Sequence, residues 1–355
     1  MALFQAMGHY SLQGSLSLLY NISLCVLLLA AGPRMSVAAF AAAASAAWVL
    51  QLAMTLPCLV RERYRFHFRL DLRAGYLPLY LRTAVVTAFT TAIFLFCYLM
   101  DTNMASPMGE GVTSAFYYAD KLFTPVITTL IYSIGAVMFP QWSEKHASMA
   151  DGEYRAYVGG VVESTVLLLL PLSALFSVFG VPIIRVLFEG GSFTPESSAL
   201  TGMVFARYAL GMVGFALLDL LAKAYYAMQD TRAPLVVNLG VLGGNFALNL
   251  ILMKLFPSPG ALAVGTALAM TLGGIVLLLL FLRGRRGVLH PLRLAAGAGL
   301  SAALYVALDL ASGALVGAYD SKLMLVVKCG ALGAAGLLLY LLLMGRACLS
   351  SFSKS

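Results

Sequence analysis

Four oxygen-bearing side chains stand out against an apolar background: Asp101 in CYLMDTNMAS, Asn245 and Asn249 in GGNFALNLIL, and Thr266 in VGTALAM. A carboxylate inside hydrocarbon must be protonated, paired or bound to a cation. Position alone leaves a second reading for Asp101, a residue just emerging among lipid headgroups. Asn245 and Asn249 are four apart and share one helix face. Two amide oxygens so placed suit a hard cation such as Na⁺, which takes oxygen ligands. They suit interhelical hydrogen bonding beside Gly243 and Gly244 better still on spacing alone. Thr266 offers one further oxygen.

The remaining charges inside apolar runs are few. Asp120 and Lys121, in AFYYADKLFTP, are adjacent and point in different directions. Either one lines a cavity, or Lys121 snorkels to the interface. Arg207 and Asp219 lie in one apolar run, and Lys223 stands one turn beyond Asp219, the spacing of a pair that neutralises itself. Asp309 and Lys328, in the last two runs, are a candidate pair across them. Catalytic patterns are absent: the four His are isolated, and no HExxH, P-loop or GxSxG motif occurs. The five Cys are scattered without a CxxC, so neither a disulfide framework nor a metal cluster is indicated. The chain reads as a non-enzyme, and as a secondary transporter rather than an ATP-driven pump.

These residues need positioning elements that tolerate lipid. Of 355 residues, 61% are hydrophobic and 11% charged, and the mean hydropathy is +0.90. A water-soluble fold cannot hide that much apolar surface. Apolar runs of spanning length predict an all-α, polytopic membrane protein of about ten helices, near 11–31, 36–60, 78–106, 112–139, 157–180, 197–228, 232–256, 259–283, 289–316 and 319–346. Segments 140–156 and 181–198 read as loops. Within the latter, Gly190-Gly191 marks a turn, with Thr194 or Ser192 as a helix cap and Pro195 in the first turn. The net charge of +8 is placed by arginines in short loops, at 61–73 and 283–293 above all. That pattern is membrane topology rather than nucleic-acid binding. By the positive-inside rule the Arg-rich loops and both termini are cytoplasmic, and 102–111 and 188–198 face outward.

Two stretches resemble a known family. SAFYYADKLFTPVITTLIYSIGAVMFPQWSE, 114–144, is similar to the YYADR-containing helix of the lipid II flippases (MurJ/MviN) of the MOP exporter superfamily. The segment 186–252 resembles that family's LLFxRGAFT turn, its AYALGLPAF-like helix, its FYAxQDTxTP turn and its NLxLN helix, here as VLFEGGSFT, ARYALGMVGF, YYAMQDTRAP and NFALN. Order and spacing agree over about 100–320. The resemblance implies transfer of an undecaprenyl-pyrophosphate-linked peptidoglycan precursor from the cytoplasmic to the outer leaflet of the bacterial inner membrane. Alternating access is implied, coupled to ions or to voltage. The implied partners are lipid II, membrane lipids and the peptidoglycan synthesis machinery.

Carried over residue by residue, the family's cation site implies Na⁺ as cofactor, held by Asp101, Asn245, Asn249, Thr266 and the backbone carbonyl of Leu262. The cavity residues are Lys121, Asp120 and Arg207. Two departures matter. Asn249 stands where some members carry Asp, which removes a charge, and Lys121 replaces the Arg of YYADR, offering a point charge where Arg offers a fork for pyrophosphate. A following position that is acidic in some members is Thr124 here. The resemblance divides the chain into 1–60, the last two helices of a first lobe; 76–284, a six-helix second lobe; 287–347, two groove helices; and 348–355, a cytoplasmic tail. The family's first four helices, which bear most of its cavity arginines, have no counterpart, so this chain alone is expected not to flip lipid II. The competing reading is a MOP-superfamily exporter of another lipid-linked oligosaccharide, or of cationic drugs by cation antiport. A drug exporter wants an acidic cavity, whereas Lys121 and Arg207 favour an anionic ligand.

Overall fold

The computed structural model describes residues 10–31, 36–61, 77–283, 288–317 and 320–349. Most of the Arg-rich segment 61–73, part of 283–293 and the tail 350–355 lie outside the described residues. The chain forms two compact units, Met1–Gly75 and Tyr76–Ser355. The first holds α1 (Tyr10–Ala31) and α2 (Val37–Arg61), packed on one another.

The second unit holds α3 (Leu77–Ala105), α4 (Val112–Ser148), α5 (Asp151–Val178), α6 (Gly180–Phe188), α7 (Pro195–Ala209), α8 (Met212–Ala227), α9 (Arg232–Leu255), α10 (Pro259–Leu282), α11 (Pro291–Leu315) and α12 (Lys322–Leu349). Helix α10 is central: it packs along α9, α8, α7 and α3. Helix α4 lies on α7 and α8, and α5 joins that group to α11 and α12. Phe116, Ile127, Trp142, Tyr154, Phe205 and Phe281 are fully buried where these helices meet.

Among the described residues, seven helices are long and apolar enough to cross a membrane, or eight if α7 and α8 form one bent span. The expected count of about ten is therefore met only in part. The described apolar stretch of α1, Leu18–Ala30, is too short to count.

Three sequence expectations about local structure are corrected. Segment 140–156 is mostly helix, because α4 runs through Pro140 to Ser148 and α5 begins at Asp151. Trp142, with no exposed surface, anchors that extension. Arg155, expected in a cytoplasmic loop, is buried; it pairs with Asp151 one turn away and donates from Nη1 to the Phe281 carbonyl, satisfying an end group of α10. The expected helix 197–228 is broken into α7 and α8 by a 46° bend at Leu210–Gly211. Segment 181–198 contains the nine-residue helix α6 before its turn. In that turn Gly190 and Gly191 have φ of 144° and 58°, and Thr194 Oγ1 caps α7 by accepting from the Ser197 amide, with Pro195 in the first turn.

The ion pairs sort similarly. Lys223 does bond Asp219 within α8. Lys328 does not reach Asp309; it pairs with Asp320 at 2.8 Å, and Asp309 is exposed. Asp320, just before α12, accepts from Lys328 Nζ through both carboxylate oxygens. The Lys328 hydrogen bond holds the Asp320 carboxyl below the usual carboxylate range.

The seam between α8 and α10 depends on glycine, since a Cβ on Gly214 would collide with the backbone of Thr271. Gly214→Leu is expected to destabilise the protein by about 1–3 kcal/mol or more, as overpacking does. Gly299→Leu, at an open position on α11, is the control and leaves stability unchanged. Thermal unfolding of the purified protein in detergent compares the two.

Candidate functional site

Asp101 sits in the last turns of α3 and has no exposed surface. Three neutral donors from three other helices meet its carboxylate. Tyr208 of α7 donates its hydroxyl to Oδ2 at 2.9 Å, Thr266 of α10 donates to the same oxygen at 2.6 Å, and Asn249 of α9 donates Nδ2 to Oδ1 at 2.7 Å. Asn245, one turn earlier on α9, donates Nδ2 to Thr266 Oγ1 at 2.6 Å. The Thr266 hydroxyl is thus satisfied as donor and acceptor together. Asn245 and Asn249 have no exposure either.

The amide oxygens of both asparagines are left without hydrogen-bond partners. A buried acceptor in that state costs about 1–3 kcal/mol unless something occupies it. Gly265 backs one of them, for a Cβ there would strike Asn249 Oδ1. No ion pair among the described residues involves Asp101.

A cavity of about 50 Å³ lies against the Asp101 and Thr266 side of this cluster, walled also by Asp120, Tyr208 and Gly211, while Asn245 and Asn249 stand behind them, outside its wall. One water needs roughly 10–15 Å³, so there is room for an ion with part of its hydration. The wall includes Gly211, where α7 breaks from α8, and the carbonyl end of a half-helix is a favourable place for positive charge. The ligand set has the chemistry a hard cation takes: a carboxylate, a hydroxyl and two partnerless amide oxygens. Among the described residues no group of three or more His, Cys, Asp or Glu exists for a transition metal. Leu262 is fully buried on α10, one turn before Thr266.

The structure therefore brings Asp101, Asn245, Asn249 and Thr266 together, and it decides between readings that spacing left open. Asn245 and Asn249 do make interhelical hydrogen bonds, yet their oxygens remain free. Asp101 is buried among helices rather than exposed at the surface of the bundle. Tyr208 was missed. Its signal was a phenol deep in an apolar run two residues before Leu210-Gly211, a place without headgroups for its hydroxyl. Phe116 and Phe123 hold its ring, at centroid distances of 6.0 and 5.8 Å.

The three cavity candidates separate. Asp120 accepts from Thr124 at 2.8 Å and shares the cavity wall with Asp101. Lys121 is exposed on α4 with its Nζ 5.3 Å from the Tyr117 ring centroid. Arg207 is half-buried and packs across Gly260 at the start of α10, away from that wall.

Tyr208→Phe and Thr266→Val each remove one donor to Asp101 Oδ2. Each is expected to cost about 1.5–3 kcal/mol, the range for a hydrogen bond to a charged group. Because both serve one oxygen, the double variant should depart from additivity by about 0.5 kcal/mol or more. Unfolding of the four proteins in denaturant measures the cycle.

The family model described as "Lipid II flippase MurJ" matches residues 1–329. The chain is 32% identical over 301 residues to a probable lipid II flippase MurJ of Rhizobium meliloti (strain 1021), covering 82% of this chain and 55% of the relative. With the corresponding protein of Vibrio cholerae serotype O1 the identity is 29% over 273 residues, covering 75% and 52%. The chain thus spans about half the length of these relatives. A solved lipid II flippase MurJ in an inward closed conformation superposes with a TM-score of 0.70 at 16% identity, over 91% of this chain and 65% of that one, which shows a shared fold. With a buried polar cluster inside an apolar helical bundle and a family match along nearly its whole length, the chain belongs to the MurJ lipid II flippase family, as a multi-pass helical protein of the bacterial inner membrane.

Proposed function

We propose that the chain takes part in moving lipid II from the cytoplasmic to the outer leaflet by alternating access, with Na⁺ at the Asp101 cluster as the coupling ion. The observation that carries the reading is the pair of partnerless amide oxygens beside a carboxylate whose hydrogen-bond partners among the described residues are all neutral. Asp101, Asn245 and Asn249 would hold the ion through oxygen, with Thr266 and the Leu262 carbonyl completing the set. The ion supplies positive charge where the bundle has none. The protein's own residues do the rest: Tyr208 and Thr266 fix the carboxylate, and Gly265 leaves space for the Asn249 amide. A pyrophosphate headgroup cannot cross hydrocarbon unaided. The exposed Lys121, lying on the polar stripe of α4 with Tyr117 and Thr124, offers it a cation. That favours an anionic lipid-linked substrate over a cationic drug.

Two measurements test this. Adding NaCl in place of choline chloride should raise the unfolding temperature of the protein, by the mass-action stabilisation of a ligand that binds only the folded state. Asp101→Ala should abolish the shift, and Gly265→Ala should reduce it by pushing on Asn249. An equal Na⁺ shift in Asp101→Ala would remove the ion from the proposal. Separately, native mass spectrometry should show lipid II bound to the full chain, with Lys121→Ala binding about tenfold less, the loss of one charge-assisted contact. Undiminished binding by Lys121→Ala would take that residue out of the cavity.

A further inference from the structure

At the end of the second unit that the charge pattern turns outward, a second pocket opens between the start of α4 and the 188–194 turn. It is about 530 Å³ in volume, within the roughly 300–1,000 Å³ of small-molecule sites. Glu110 and Glu196 line it, and no Lys or Arg does, so an anion is disfavoured. Tyr118 and Phe193 form an aromatic wall, their rings perpendicular with centroids 5.3 Å apart. The first turn of α4 has no side-chain cap, which leaves its amide donors on the same side. The independent sign of a ligand is Thr201. It belongs to the pocket lining, has no exposed surface, and its Oγ1 has no hydrogen-bond partner. A buried hydroxyl without a partner is costly, and one lining a polar pocket is poised for a polar occupant.

Carboxylate acceptors, hydroxyl and amide donors and an aromatic wall together match one chemistry. A pyranose ring offers hydroxyls to both kinds of group and an apolar C–H face to the ring edge or face of Tyr118. Two carboxylates without a third acidic or His ligand make a poor divalent site. We propose that this pocket is a subsite for an uncharged sugar, specifically the sugar portion of the lipid-linked headgroup as it reaches the outer side. This rests on the translocation reading above.

The test uses the full chain in lipid nanodiscs and N,N′-diacetylchitobiose as the free sugar, followed by ligand-observed NMR, beside lipid II itself. Saturable binding of the disaccharide is expected. Thr201→Val and Glu110→Gln should each weaken it about fivefold, one hydrogen bond's worth, and weaken lipid II binding in the same direction. Thermal unfolding of both variants confirms that they fold. Absence of disaccharide binding, with Lys121-dependent lipid II binding intact, would overturn the pocket and leave the proposed function standing. Disaccharide binding lost in the variants while lipid II binding is unchanged would overturn the lipid-linked source. Stronger binding of cyclohexylamine than of the disaccharide, abolished by Glu110→Gln, would make the pocket an amine site and overturn the sugar.

Discussion

A carboxylate stripped of water inside an apolar bundle has to be compensated where it stands, and Asp101 imposes that condition on the second unit. Its donors arrive from α7, α9 and α10, so the three helices must converge on the end of α3. Helices in lipid gain little from apolar contact with one another, because lipid tails are as apolar as leucine. Close approach and buried polar bonds supply the specificity instead. Gly214 lets α8 and α10 touch backbone to backbone, and Gly265 gives the Asn249 amide its place. The glycine seams and the polar cluster are two parts of one packing solution.

Much of this was legible from residue types. Apolar runs located nearly every helix, and the i, i+4 spacing of Asn245 and Asn249 put both on the face that meets α10. The pairing of these residues with Asp101 came from family resemblance, since local sequence holds no record of a contact between positions 148 apart. Tyr208 escaped because its partner is 107 residues away. Local rules failed where tertiary contacts overrode them. Segment 140–156 read as a loop, but α4 continues through Pro140 with the buried Trp142 beyond it. The apolar run 197–228 gave no sign of its bend. Lys328 was matched with Asp309 by their places in the last two runs, whereas the fold sets Asp320 beside it.

The treatment of acids across the unit separates fixed pairs from the Asp101 cluster. Asp151 has Arg155, Glu189 has Arg185, Asp219 has Lys223, Asp320 has Lys328, and the buried Glu163 accepts from the backbone and ring of His290. Asp101 is the most deeply buried acid among the described residues, and its shell consists of a phenol, an alcohol and an amide. Had the sequence placed a lysine at 208, the carboxylate would carry a fixed opposite charge beside it. Neutral donors hold the carboxyl group in position without setting an opposite charge beside it. Breaking a fixed buried pair costs about 3–5 kcal/mol, so a basic partner would lock this acid in a way that neutral donors do not. Asp101 is held by neutral donors from three helices, beside two amide oxygens without hydrogen-bond partners, whereas most of its acidic neighbours are held by Lys or Arg.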